Sequence, residues 1–248
     1  PSVTFDAGKN TPVRADLKVK IYPGDQYYMW DAVDPYWKGY EWNNPNTALR
    51  FQPIVNGQGD PAHSPQSTEL VSAHTLRDFN DIPGYSDPTG VAPVVAATHS
   101  AKDCPNLNAM FWYGEKGDPH WDNTTLWVTM DHLYVGGMWL LKQSAIAAKY
   151  GKSISDLNSA APDGTDYTRS IALQTEYINK SVPTGIPGNL NDYFYLPTFG
   201  GYNNTPTKEF VATGTLADFW ASTSASSYQS YVLSVQVNVI KLFRVAKC

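Results

Sequence analysis

Two histidines and three aspartates fall between residues 118 and 132, in "DPHWD" (Asp118 to Asp122) and "DH" (Asp131 and His132). Imidazole and carboxylate are the ligand types of zinc, and a histidine beside an aspartate can also move a proton. The spacing favours neither use. No H-x-x-x-H or C-x-x-C occurs in the chain, and His120 and His132 do not share a helical face. The neighbourhood reads first as capping and turn residues, so no metal ion and no cofactor are expected.

Nucleophilic chemistry has less support. No G-x-S-x-G occurs, and the serine-rich run at 222–227 has no base beside it. Cys104 in "KDCPN" has Lys102 nearby, which would favour the thiolate, but the sequence pairs it with no histidine. "VGGMW" lacks the lysine of a phosphate-binding loop. No residue is assigned a catalytic role.

The composition points towards surface contact. The chain of 248 residues has 8 Trp and 16 Tyr, with 18 Gly and 18 Pro to break regular structure into short strands and loops. A net charge of -5, without a basic run, argues against nucleic acid as a partner. No apolar run approaches the ~18 residues of a membrane span, so direct membrane insertion is not expected. The opening "PSVTFDAGKN" reads as a fragment start or a processed terminus. Cys104 and Cys248 either pair, closing a loop worth about 5 kcal/mol in chain entropy, or remain two thiols.

The elements that must position these side chains follow from periodicity. "ADLKVKIYP" alternates Leu17, Val19 and Ile21 with Lys18 and Lys20 and predicts a leading strand within residues 1–22. Residues 27–42 are too aromatic and too interrupted for a helix, and 43–92 carry successive turn signals. A helix is predicted from Asp122 or Asn123, with Leu126, Trp127, Met130, Leu133 and Tyr134 on one face, broken at Gly136-Gly137. The pattern resumes in "MWLLKQSAIAAKYG" and ends at Gly151, a left-handed cap; a short helix from Ser153 to Ser159 and a turn at "PDGTD" follow. Strands are predicted at "YFYLP", "DFWAST" and "SYVLSVQVNV".

In the last of these, Ser230, Val232, Ser234, Gln236 and Asn238 alternate with Tyr231, Leu233, Val235, Val237 and Val239. The period of two predicts an apolar inner face and a mostly polar outer one. "GGYNN", Asp218, Phe219 and "SSYQS" are expected in loops or outward positions. Tyr, Asn, Ser and Gly together supply the rigid rings and short hydrogen-bonding groups of binding surfaces, though an ordinary solvated edge has the same composition.

The stretch "YFYLPTFGGYNN…GTLADFWASTSASSYQSYVLSV" resembles the C-terminal part of C-type-lectin-fold surface proteins of gut bacteria. "KDCPNLNAMFWYGEKGDPHWDNTTLWVTMDHLYVGGMW", "APDGTDY" and "YYMWDAVDPYW" match the same group. The resemblance implies an α+β C-type lectin fold, related to that of the formylglycine-generating enzymes. Short twisted antiparallel strands, one or two helices and long loops are expected, with residues 1–22 leading into a ligand-binding domain over 23–248.

It also implies an exported, non-enzymatic adhesin or receptor-like domain at a cell surface, pilus tip or phage particle. Its ligand would be a protein or glycan on another cell, with a fimbrial or anchoring partner alongside. Some members carry a C-terminal region rewritten by diversity-generating retroelements. On that pattern Leu196, Pro197, Trp220, Tyr231 and Leu233 form scaffold. Tyr202, Asn203, Asn204, Asp218, Phe219, Tyr228, Gln229, Ser230, Gln236, Asn238 and Lys241 present contacts.

The chain departs from the group where Asp218-Phe219-Trp220-Ala221-Ser222 replaces Tyr-Tyr-Trp-Ser-Ser, and its last hairpin, with a turn expected near Gln236 to Asn238, has no glycine. The motifs of calcium-dependent sugar binding are reduced to "NPN" and "WDN" in the wrong order, and the copper-binding cysteine pair of the related enzymes has no counterpart. Two alternatives are an enzyme, either of the formylglycine-generating type or a hydrolase using His120, Asp131 and His132, and a structural pilus subunit.

Overall fold

Asn106 starts the first helix among the described residues. Its side chain accepts the Ala109 N–H at 3.0 Å, which caps α1 (Leu107–Lys116). Leu107, Met110, Phe111 and Gly114 fall at i, i+3, i+4 and i+7 and are all buried. Gly114 lets the helix lie close to the sheet, since a Cβ there would sit 3.0 Å from the Tyr177 ring and 3.4 Å from Leu242. The computed structural model describes residues 19–23, 26–27, 104–129, 132–168, 176–202, 210–226 and 229–246. Leu17, most of the aromatic segment 27–42, the turns at 43–92, Lys102, Asp131, Asn203, Asn204, Tyr228 and Cys248 lie outside them.

The helix predicted from Asp122 is replaced by strands β2 (His120–Asp122), β3 (Trp127–Thr129) and β4 (His132–Tyr134). Asp122 does act as a cap, but of a turn. Its carboxylate accepts from both the N–H and the hydroxyl of Thr124 and of Thr125, at 2.5 to 3.1 Å. Such local bonds offer the backbone an alternative to a helix. The following β-branched and aromatic residues alternate, with Trp127 and Thr129 buried around a half-buried Val128. Leu133, expected on the apolar helical face, is 48% exposed.

Gly136 and Gly137 therefore break no helix. They form the turn into β5 (Gly137–Leu141), where Gly136 has φ 99° and its carbonyl accepts the Trp127 indole N–H at 3.0 Å and the Thr198 hydroxyl at 2.8 Å. The helix resumes only at α2 (Gln143–Tyr150) and ends, as expected, at a left-handed Gly151. The short helix α3 (Ile154–Ser159) carries the Ser153 cap, completed by Asp156 as a capping box. Gly164 turns the "PDGTD" segment at φ 87°.

The remaining strands are β1 (Lys20–Ile21), β6 (Tyr177–Asn179), β7 (Tyr193–Pro197), β8 (Gly201–Tyr202), β9 (Phe210–Val211), β10 (Leu216–Ser226), β11 (Gln229–Gln236) and β12 (Val239–Ala246). The architecture is mixed α+β, built of small sheets with few helices. The sheets order as β1-β3-β4, β2-β5-β7, β8-β9 and β10-β11-β12-β6. β1 runs parallel to β3, and its apolar alternation does not face inward: Ile21 is 66% exposed, while Tyr22 enters the core against Trp127 and Phe199.

The β11–β12 hairpin turns through Val237 and Asn238 without glycine, because Asn238 takes the left-handed conformation at φ 57°. The polar outer face predicted for β11 is corrected. Ser230, Val232 and Ser234 are fully buried, like Tyr231, Leu233 and Val235 on the opposite side. β11 is a central strand, so its short serines are covered from both flanks: Ser234 lies between Asp218 and Lys241, and Ser230 between Ser224 and Val245. Among the described residues no helix is long and apolar enough to cross a membrane.

Candidate functional site

Strand β10 is the edge of its sheet, and its pairing with β11 is regular only from Leu216 to Trp220. Between Trp220 and Ser224 the register shifts. The freed backbone is taken up by the entry to α1: Ser222 N–H donates to the Pro105 carbonyl at 3.0 Å, and Leu107 N–H to the Thr223 hydroxyl at 3.0 Å. An irregularity at an edge strand re-aims side chains. The regularly paired residues before it, Ala217, Asp218, Phe219 and Trp220, line a half-open cavity of 360 Å³ at this sheet edge.

Three other elements complete the wall. Met110 and Tyr113 come from α1, Phe194 and Leu196 from β7, and Leu233 from β11. Phe199 and Gly200, just after β7, and Tyr27, Cys104 and Pro105 close the remaining sides. Phe199 packs against Phe219 at 6.4 Å and against Tyr27 at 4.5 Å between centroids, and Tyr113 meets Phe194 edge-on at 5.4 Å. Burial pushes the Tyr113 phenol up to about 12, so it is a neutral hydroxyl at physiological pH.

The charged group of the lining is Asp218, and Gln26 adds an amide. Asp218 keeps an exposed surface at the cavity rim although protein atoms crowd it. That crowding pushes its carboxyl up, while the Ser234 hydroxyl and the Lys241 ammonium pull it back towards the charged form. Surface exposure decides the reading: water reaches this group, so it is available to a ligand.

The His–Asp neighbourhood has a different geometry. His120 lies 3.6 Å from Asp118, which also accepts the Tyr193 hydroxyl at 2.6 Å. Asp122 is buried, with its oxygens occupied by the two threonines and by the Trp139 indole N–H at 2.9 Å. Burial opposes its ionisation, but these donors outweigh that cost and hold the carboxyl at about 2. His132 pairs with Thr129 in the β3–β4 ladder. Among the described residues no three His, Cys, Asp or Glu side chains converge as a metal site.

Of the residues predicted to contact a ligand, the fold brings Asp218 and Phe219 to the cavity, both on β10 and not in a loop. Ser230 is fully buried, its hydroxyl donated to the Thr223 carbonyl at 3.1 Å, so it faces protein and not solvent. Gln236 donates to the Ser234 hydroxyl at 3.2 Å, Asn238 accepts from Thr184 at 2.9 Å, and Lys241 sits opposite Ser234 on β12. Tyr202 pairs with Phe210, and Gln229 opens β11. Among the scaffold residues, Pro197, Tyr231 and Leu233 are buried, whereas Leu196 and Trp220 are half-buried. Leu196, Trp220 and Leu233 also line the cavity.

Sequence reasoning missed the contributions of Met110, Tyr113, Phe194 and Phe199. The first two were readable: "NLNAMFWYGEKG" offers an Asn cap and a helical apolar stripe. Comparison with family models, curated proteins and solved structures found no match to this chain.

Proposed function

We propose that the chain is a non-enzymatic ligand-binding domain of C-type lectin fold, exported and displayed at a cell surface, pilus tip or phage particle. It engages a protein or glycan on another cell and works with a fimbrial or anchoring partner. The observation that carries the reading is the aromatic, half-open cavity beside the irregular edge of β10, with Asp218 at its rim. Concave, mostly apolar sites with a few polar groups are the usual form of binding sites.

Part of the cavity wall, Phe194 to Leu233, comes from the segment whose sequence resembles the C-terminal part of gut-bacterial adhesins, and Asp218 and Phe219 are among the positions where the chain departs from the group. Contact is thereby concentrated at the start of β10. The sheet beyond it is rigid, because β11 is buried on both faces.

The test is an array of glycans and surface-protein fragments probed with the chain and with its Phe219→Arg variant, whose side chain would crowd the cavity. A ligand held by the parent and lost by a folded variant supports the reading. A ligand held equally by both puts the binding site elsewhere.

A further inference from the structure

The cavity wall is carbon over most of its extent, contributed by Met110, Phe194, Leu196, Phe199, Phe219 and Leu233. A monosaccharide entering it would strip several hydroxyls of water, each needing a partner, whereas the polar side-chain groups of the lining are those of Gln26, Tyr27, Tyr113, Asp218 and Trp220, set in a surface that is mostly carbon. A volume of 360 Å³ is at the small end of ligand sites and suits a single aromatic group. Rings in such surroundings pack edge to face or offset, as those of the wall already do.

Charge narrows the occupant further. Asp218 is exposed and is the charged side chain of the lining; Lys241, which acts on it from across Ser234, does not line the cavity. A carboxylate beside an apolar opening favours a ligand whose cation stays at the surface while its ring goes in.

Resting on the reading above, we propose that the cavity receives an aromatic side chain of a protein ligand, with an adjacent lysine or arginine held at Asp218. The ring fills the cavity against Phe219 and Leu233, which stand side by side in the β10–β11 ladder, and the basic residue pairs with the carboxylate outside. This selects the protein partner over the glycan.

The test uses the full chain with ¹³C-labelled methionine and leucine methyls and four probes: N-acetyl-Trp-Lys-amide, N-acetyl-Trp-Glu-amide, N-acetyl-Gly-Lys-amide and a set of methyl glycosides. The expected result is that Trp-Lys shifts the Met110, Leu196 and Leu233 methyls together. It should bind about 5–10-fold more tightly than Trp-Glu at low salt. Gly-Lys leaves these methyls unmoved. In Asp218→Asn, whose unliganded spectrum checks the fold, the preference for Trp-Lys disappears. Equal binding of Trp-Lys and Trp-Glu, or a glycoside that moves these methyls where the peptides do not, overturns the proposal but keeps the cavity as a ligand site. Methyls unmoved by every probe overturn both.

Discussion

Phe199 and Phe219 meet edge to face, 6.4 Å between centroids, and join the segment after β7 to the edge strand β10 across the cavity wall. Phe219 is half-buried, so Phe219→Ala is expected to destabilise by about 2 kcal/mol, below the ~3–5 kcal/mol of a fully buried ring. Urea unfolding monitored by circular dichroism measures this. The same variant should weaken any cavity ligand more than its loss of stability accounts for, since the folded fraction at 25 °C stays high.

Gly137 is fixed by Tyr195. A Cβ at Gly137 would collide with the Tyr195 ring, which packs across the β5–β7 ladder against Trp139 at 4.9 Å, and would lie 2.6 Å from the Leu196 carbonyl oxygen. Gly137→Ala is expected to cost about 1–3 kcal/mol by overpacking. In a Tyr195→Ala background the same substitution should lose the part of the cost that comes from the ring and keep the part that comes from the Leu196 carbonyl. A double-mutant cycle reads the difference, and additive costs would contradict the contact.

Asp122 gives stability a specific dependence on acid. Its folded-state value of about 2 lies below the ordinary 3.8. A depressed carboxylate stabilises fully above 3.8, and that contribution is lost as pH falls from there towards about 2. The size is roughly 2 kcal/mol. Urea midpoints between pH 2 and 6 should fall over that window, and Asp122→Asn should be less stable at pH 6 and flatter below pH 4.

The last hairpin turns on Asn238. Because φ is 57° there, Asn238→Gly is expected to be neutral or slightly stabilising, despite loss of the Thr184 contact, and Asn238→Val to cost about 1–2 kcal/mol. Thermal unfolding of the two variants distinguishes them. Equal melting temperatures would contradict the turn geometry.

These residues show how far the chain could be read without coordinates. Gly151, the Ser153 cap and the strands at Tyr193–Pro197 and from Leu216 onward were legible because local chemistry and tertiary environment agree there. The helix predicted from Asp122 failed because Asp, Thr and Thr close a side-chain turn that uses the same residues as an N-cap. Burial of Ser230 and Ser234 was hidden because alternation records polarity, and a short hydroxyl in a central strand can be covered by its neighbours. The cavity was half legible. Asp218 and Phe219 stood out as departures from a known pattern, but no periodicity reveals that four consecutive residues of an edge strand, Ala217, Asp218, Phe219 and Trp220, line one cavity with α1 and β7.

Ligand is expected in this cavity and not on the hairpin end, where Val237 is 49% and Ile178 41% exposed. The most direct measurement takes the strongest ligand from the array and records intermolecular NOEs to labelled methyl groups of the full chain. NOEs are expected from the ligand to Met110, Leu196 and Leu233. NOEs confined to Val237 and Ile178 would contradict this.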